Sequence, residues 1–256
     1  MNDILQQLAA TVDEAAHIAQ AIPQLSLVHD LSLEQAYEIQ RLSIQQRLAR
    51  GERRVGVKMG LTSRAKMEQV GVDRVIWGRL TDAMQVEEGS RISLSNYVHP
   101  RAEPEVAFLL KQPLAGKVTI TEAAAAVEAV APAIEIIDSR YENFKFSLSD
   151  VVADNSSSSG FVVGRWNRPD LDIDNLGIVL EVNGRPAQVG SSAAILGSPW
   201  RALVAAAELS ALADEPLQTG WIVLAGGATA AVALRPGARV RATIAQLGNV
   251  SFSVDG

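Results

Sequence analysis

The chain has 256 residues, 48% of them hydrophobic and 20% charged, which is enough aliphatic surface for a sizeable core and too apolar for a disordered chain. A net charge of -6, 5% aromatic residues and no basic stripe argue against a nucleic-acid partner. With no cysteine, disulfides, thiolate metal sites and thiol nucleophiles are excluded, and the scattered His17, His29 and His99 leave carboxylate oxygens as the main candidates for holding a metal.

The N-terminus lacks a basic segment followed by an apolar one, so no signal peptide is predicted. No run approaches the roughly 18 apolar residues of a membrane span, and a cytoplasmic protein is expected. Ile4, Leu5, Leu8, Ala9, Val12, Ala15, Ala16 and Ala19 recur at helical spacing. After the break AIPQLSLVHDLS, Ser32 and Gln35 form a capping box for a second helix, LEQAYEIQRLSIQQRLAR, which Gly51 ends. A strand is expected over Arg54–Met59, then a short helix, RAKMEQVGV, capped by Ser63.

From about residue 100 the pattern changes to short apolar runs separated by Gly, Pro and Asn. EVAFLL, AIEIID, GFVVG, GIVLEVNG, GWIVLAGG and ARVRATIAQLGNVSFSV are read as strands. Two helices interrupt them: TEAAAAVEAV, with Thr119 and Glu122 as capping box, and PWRALVAAAELSALA, with Pro199 in its first turn. FSLSDVV is also helix-like, and Asn183–Gly184 marks a hairpin. The class expected is α+β, with a mainly helical region over 1–85 and a β-rich catalytic domain over 86–256.

Glu103 and Glu105 stand two apart in HPRAEPEVAFLL and share one face of a strand. Glu135 sits in the apolar run APAIEIID, where a buried carboxylate needs a partner or a metal. Three acidic oxygen ligands suit Mg²⁺ or Mn²⁺. The alternative is a solvated pair at 103 and 105, with Glu135 bound to Arg101 or Arg140. Lys58, in the apolar and glycine-rich RRVGVKMGLTS, is a candidate acid, base or anion anchor; the alternative is a lysine that only extends its ammonium to solvent. The loops ADNSSSSG and LAGGAT could line a pocket or simply turn the chain. G-x-S-x-G, H-E-x-x-H, Walker and dinucleotide fingerprints are absent.

Taken in order, KMGLTSRAKMEQVGV, WGRLTDAM, HPRAEPEVAFLL, AIEIIDSRYENFKFSLSDVVADNSSSSGFVVG and LAGGAT resemble the fumarylacetoacetate hydrolase superfamily, within its branch of hydratases and decarboxylases of aromatic degradation. The resemblance covers essentially the whole chain. It implies a β-rich roll behind a helical segment, with Glu103, Glu105 and Glu135 as ligands of Mg²⁺ or Mn²⁺. It also implies that Lys58 and Asp82 face the substrate, and that Leu61, Ser156 and Thr229 lie around a keto-acid pocket. The implied activity is decarboxylation of 2-oxohex-3-enedioate (4-oxalocrotonate), toward which HPRAEPE and FKFSLSDVVADN point. Hydration of 2-hydroxypenta-2,4-dienoate is the alternative, and a non-catalytic partner subunit a third reading. A homo-oligomer and a complex with the pathway hydratase are the partners it implies.

Overall fold

The computed structural model describes residues 2–63, 67–68 and 74–256. Helix α1 (Asn2–His17) turns Leu5, Leu8, Ala9, Val12 and Ala15 inward and packs on α2 (Leu33–Ala49), which contributes Ala36 and Ile39 to the same core. The capping box at the start of α2 is present. Ser32 Oγ accepts from the Gln35 N–H at 3.2 Å, and Gln35 Oε1 accepts from the Ser32 N–H at 2.9 Å. Past its end stands Gly51, at a φ of +105° that glycine adopts without strain.

The rest of the chain is built on two sheets. The larger takes β1 (Arg54–Gly60), β2 (Ile76–Thr81), β3 (Gln85–Val86), β5 (Arg101–Leu110), β6 (Val127–Ile137), β7 (Ser158–Val163) and β10 (Ile222–Leu224). Their order is β2-β1-β10-β5-β6-β7-β3, with β11 (Val232–Ala233) paired to β5. The smaller sheet runs β4 (Arg91–Ile92), β13 (Gly248–Val254), β12 (Arg239–Ile244), β8 (Gly177–Val182) and β9 (Arg185–Ser191). Asn183 (φ 53°) and Gly184 (φ 74°) make the two-residue turn of the predicted β8–β9 hairpin. The fold is therefore α+β, helices first and mixed sheets after, as the sequence predicts. Strands β1 and β2 belong to the larger sheet, which thus draws on both sides of residue 85.

Short helices α3 (Ile120–Ala125) and α4 (Leu148–Ala153) and the longer α5 (Pro199–Leu212) join the strands. The helix expected over TEAAAAVEAV is corrected: it stops at Ala125, and Val127 begins β6. Alanine favours helix, but Val127 and Val130 are fully buried and β-branched, and packing in the sheet overrides propensity. The helix expected over RAKMEQVGV falls mostly outside the described residues.

The face of β5 and β6 that carries Ala102, Ile134 and Ile136 packs against Val240, Ala242, Val250 and Phe252 of the smaller sheet. The opposite face carries small side chains, Ala107, Ala131 and Ala133, beside Leu80, Leu224 and Phe161. Period-2 alternation puts Glu103, Glu105 and Glu135 on this second face.

Candidate active site

The three glutamates meet through strand register. Glu103 is the antiparallel partner of Glu135, and Glu105 that of Ala133, so a two-residue step along β5 completes the group. Glu103 is 5% exposed; Glu105 and Glu135 are fully buried. One oxygen of each lies within 4.8 Å of the others. A magnesium ion with oxygen ligands at about 2.1 Å holds its donors about 3–4 Å apart, so closing on one needs only small side-chain rotations.

Glu105 Oε2 accepts from the Gly226 N–H at 2.7 Å, while its Oε1 accepts no hydrogen bond. Neither oxygen of Glu135 is met with hydrogen-bond geometry, although Lys58 Nζ stands 3.1 Å from Oε2. Burial, and then the charges of Glu135 and Glu103, push the Glu105 carboxyl well above the ordinary carboxylate range. Burial also pushes Glu135 up, and Lys58 pulls it part of the way back. The Glu105 and Glu135 oxygens that lack donors, together with the mutually repelling charge of the group, fit a hard divalent cation.

Lys58 lies on β1 opposite Gly78 of β2 and is 3% exposed. Its ammonium also donates to the carbonyl of Ser156 at 2.9 Å. That carbonyl is held by a tight loop in which Asn155, Ser156 and Ser157 all have positive φ (48°, 52° and 59°). Three consecutive left-handed residues without glycine are costly and persist only where the surroundings over-determine them. Here Asn155 exchanges two hydrogen bonds with the backbone of Arg79, and Ser156 Oγ donates to the Trp77 carbonyl at 2.7 Å. Arg140 secures the other end, pairing with Asp154 and Ser159. The pairing of Glu135 with Arg101 or Arg140 is thus replaced by a contact with Lys58.

A cavity of about 500 Å³ opens beside this group. Lys58, Leu61, Glu103, Ser156 and Thr229 line it, so the structure brings these expected residues together. Ser156 contributes its carbonyl, because its hydroxyl is spent on Trp77. Asp82 is the exception and is corrected. It lies beyond Thr81, which pairs with Arg54, four strand residues or roughly 13 Å from Lys58. Its carboxylate accepts from the Arg53 and Ala83 N–H groups and from Arg53 Nε. Residues that the sequence does not mark as pocket residues complete the lining, among them Arg101, Ile137, Phe144, Phe146 and Val151. Arg101 carries a local signal, since it precedes Glu103 by two residues on one strand face; the aromatic and aliphatic wall carries none.

Gly226 links the LAGGAT loop to the carboxylates. A Cβ on it would stand 2.1 Å from Thr62 Oγ1, and its φ is +103°. Gly226→Ala is expected to cost roughly 1–3 kcal/mol of stability through backbone strain alone. Alanine keeps the N–H, but relieving a 2.1 Å clash with Thr62 moves it away from Glu105, so metal affinity should also fall about 10–100-fold, the usual cost of misplacing a group that orients a ligand. Thermal melts and calorimetric metal titration read both; an unchanged affinity would separate the loop from the site.

Comparison with known proteins gives a consistent picture. Residues 58–255 match the family model described as fumarylacetoacetate (FAA) hydrolase, C-terminal. A 4-oxalocrotonate decarboxylase from a Pseudomonas species is 59% identical over 252 residues, 98% of each chain. A TodF product hydratase from Pseudomonas putida is 37% identical over 233 residues, 90% of this chain and 87% of that one. Among solved structures, 4-oxalocrotonate decarboxylase from Pseudomonas putida G7, complexed with magnesium and adipate, superposes with a TM-score of 0.96 at 36% identity, covering 99% of this chain and 98% of the other.

Proposed function

The chain belongs to the fumarylacetoacetate hydrolase family, and from that premise we propose that it catalyses the metal-dependent decarboxylation of 4-oxalocrotonate (2-oxohex-3-enedioate). The observation that carries this is the buried Glu103–Glu105–Glu135 group, reached through Glu103 from a cavity that Lys58 also lines, in a chain 59% identical to such a decarboxylase over almost its whole length. The products are CO₂ and 2-hydroxypenta-2,4-dienoate, which tautomerises to 2-oxopent-4-enoate. Similarity to hydratases is lower, at 34–41%, than the 59% shared with that decarboxylase, which favours decarboxylation over water addition. A purely structural subunit would gain nothing from three buried acids that repel one another.

The three glutamates hold Mg²⁺, with Mn²⁺ as the other ion suited to the same oxygens. When bound, that ion supplies a Lewis acid next to the 2-oxo group, worth several kcal/mol to developing oxyanion charge. The chain's own residues do the rest. Leu61, Ile76, Ile137, Phe146 and Val151 exclude water from the carbon chain of the substrate. The C5–C6 bond breaks, and its electron pair moves through C3=C4 onto the ketone oxygen while C6 leaves as CO₂. Lys58 Nζ, held between the Ser156 carbonyl and Glu135, is placed to anchor the keto-acid end or to give the dienolate its proton. Leu61 and Thr229 shape the same end.

The enol product isomerises in water, so a hydratase that receives it directly is the expected protein partner, within a homo-oligomeric assembly. No helix among the described residues is long and apolar enough to cross a membrane. Action in the cytoplasm belongs to the same reading, supported by the likeness to bacterial enzymes of small dicarboxylates.

The test is CO₂ release together with ultraviolet loss of 2-oxohex-3-enedioate, with Mg²⁺ and with EDTA. Release in Mg²⁺ alone is the expected result. Consumption of 2-hydroxypenta-2,4-dienoate without CO₂ would make the chain a hydratase instead.

A further inference from the structure

Arg101 begins β5 two residues before Glu103, so its side chain leaves the sheet on the face that carries the glutamates. It lines the same cavity. Lys58, the other cation among the described lining residues, is engaged at the carboxylate end by Glu135 and Ser156. The Arg101 guanidinium forms no ion pair or hydrogen bond with a described residue, and its carbon lies 4.1 Å from the centre of the Phe144 ring. That ring is held in place by its neighbours: it packs 5.2 Å from His99 and 5.4 Å from Phe146. Asn143 (φ 59°) and Phe144 (φ 56°) are both left-handed, a backbone that a bulky aromatic rarely takes without tertiary support. An aromatic face positions a guanidinium without neutralising it or using its N–H donors.

Two residues of strand advance roughly 6.6 Å, the order of length of an extended six-carbon diacid. A substrate whose 2-oxo acid end lies at the glutamates therefore places its far end near Arg101.

We propose that Arg101 holds the distal, C6 carboxylate of the substrate through its two-pronged guanidinium, and so selects 2-oxo dicarboxylates over 2-oxo monocarboxylates. The assignment rests on the decarboxylase reading for the identity of that carboxylate. The leaving group sheds its charge as C5–C6 breaks, so the ion pair is strongest before the transition state. Arg101 thus acts on binding and orientation, and its removal raises KM more than it lowers kcat.

The experiment compares 2-oxoadipate with 2-oxohexanoate, unreactive ligands that differ only in the distal carboxylate, by calorimetry on Mg²⁺-loaded wild type, Arg101→Gln and Arg101→Lys. Wild type is expected to prefer the diacid by about tenfold to a hundredfold, the worth of a charged hydrogen-bonded contact. Arg101→Gln should lose most of that preference while binding 2-oxohexanoate within about twofold of wild type, and Arg101→Lys should retain part of it. Mg²⁺ affinity, measured alongside, should stay unchanged and so show an intact site. Equal weakening of both ligands would put Arg101 at the keto-acid end, and no wild-type preference, or one that survives Arg101→Gln, would overturn the proposal outright. An Arg101-dependent preference in a protein that releases no CO₂ would leave the subsite standing and remove the decarboxylase reading instead.

Discussion

Glu105→Gln is expected to lower CO₂ release by about a hundredfold to a thousandfold, the scale of losing one preorganised contributor to oxyanion stabilisation, while making the metal-free protein more stable. Both effects have one cause. Glu105 is fully buried among like charges, and its carboxyl is pushed well above its ordinary value of 4.5, chiefly by burial. The folded, metal-free protein therefore binds a proton that the unfolded chain has released, and stability falls as pH rises from about 4.5 through the raised folded value. Glutamine keeps the acceptor for the Gly226 N–H and removes the charge, so the variant should lose less stability over that window. Mg²⁺ prefers the deprotonated group, so wild-type affinity should rise with pH and the ion should raise the melting temperature. In Glu105→Gln that metal-dependent gain should shrink or vanish. Melts from pH 5 to 8, with Mg²⁺ and with EDTA, decide it. A variant whose metal-free melting temperature falls at pH 7 to 8, or which keeps the full Mg²⁺ response, would remove Glu105 from the metal site.

What the sequence shows of this site follows the range of the interactions. The shared face of Glu103 and Glu105 is a two-residue regularity, visible in any strand. Glu135 joins them only through the β5–β6 register, about thirty residues away in the chain, and its apolar neighbours show that it is buried without showing beside what. The whole-chain resemblance supplies that link. Lys58 is legible as a lysine in an apolar strand, whereas its partner Ser156 lies 98 residues further on and uses a carbonyl, which no side-chain pattern reveals. Asp82 fails for the converse reason: it sits in a matching motif, and Arg53, across the strand pair, already takes its charge. The boundaries of α2 and α5 follow from their caps, the apolar repeat of α1 runs two residues past its end at His17, and the alanine run before Val127 reads as helix until the sheet claims its end.

Lys58→Met is expected to reduce turnover by about 10²–10⁴, the range for a positioned proton donor, and to separate the two duties of this side chain. Methionine approximates its apolar stem, one heavy atom shorter, but leaves the Ser156 carbonyl without a donor and Glu135 without a cation. Breaking a buried pair of this kind costs about 3–5 kcal/mol when the orphaned group stays charged. Glu135 can take up a proton, so the loss in the metal-free protein should be smaller at pH 5 than at pH 8. The shift of Glu135 is set first by burial, which raises it, and then by Lys58, which lowers it. Without Lys58 its carboxyl rises further, and stability is retained below the ordinary value of 4.5 and lost as pH climbs through the new one. Mg²⁺ gives Glu135 a counter-charge, so saturating metal should restore much of the melting temperature and none of the turnover. Lys58→Arg should not restore turnover either, since a planar guanidinium does not fit a slot made for an ammonium that is 3% exposed. Activity within twofold of wild type in fully metal-loaded Lys58→Met would leave Lys58 only the task of compensating Glu135, and the dienolate would have to take its proton from water.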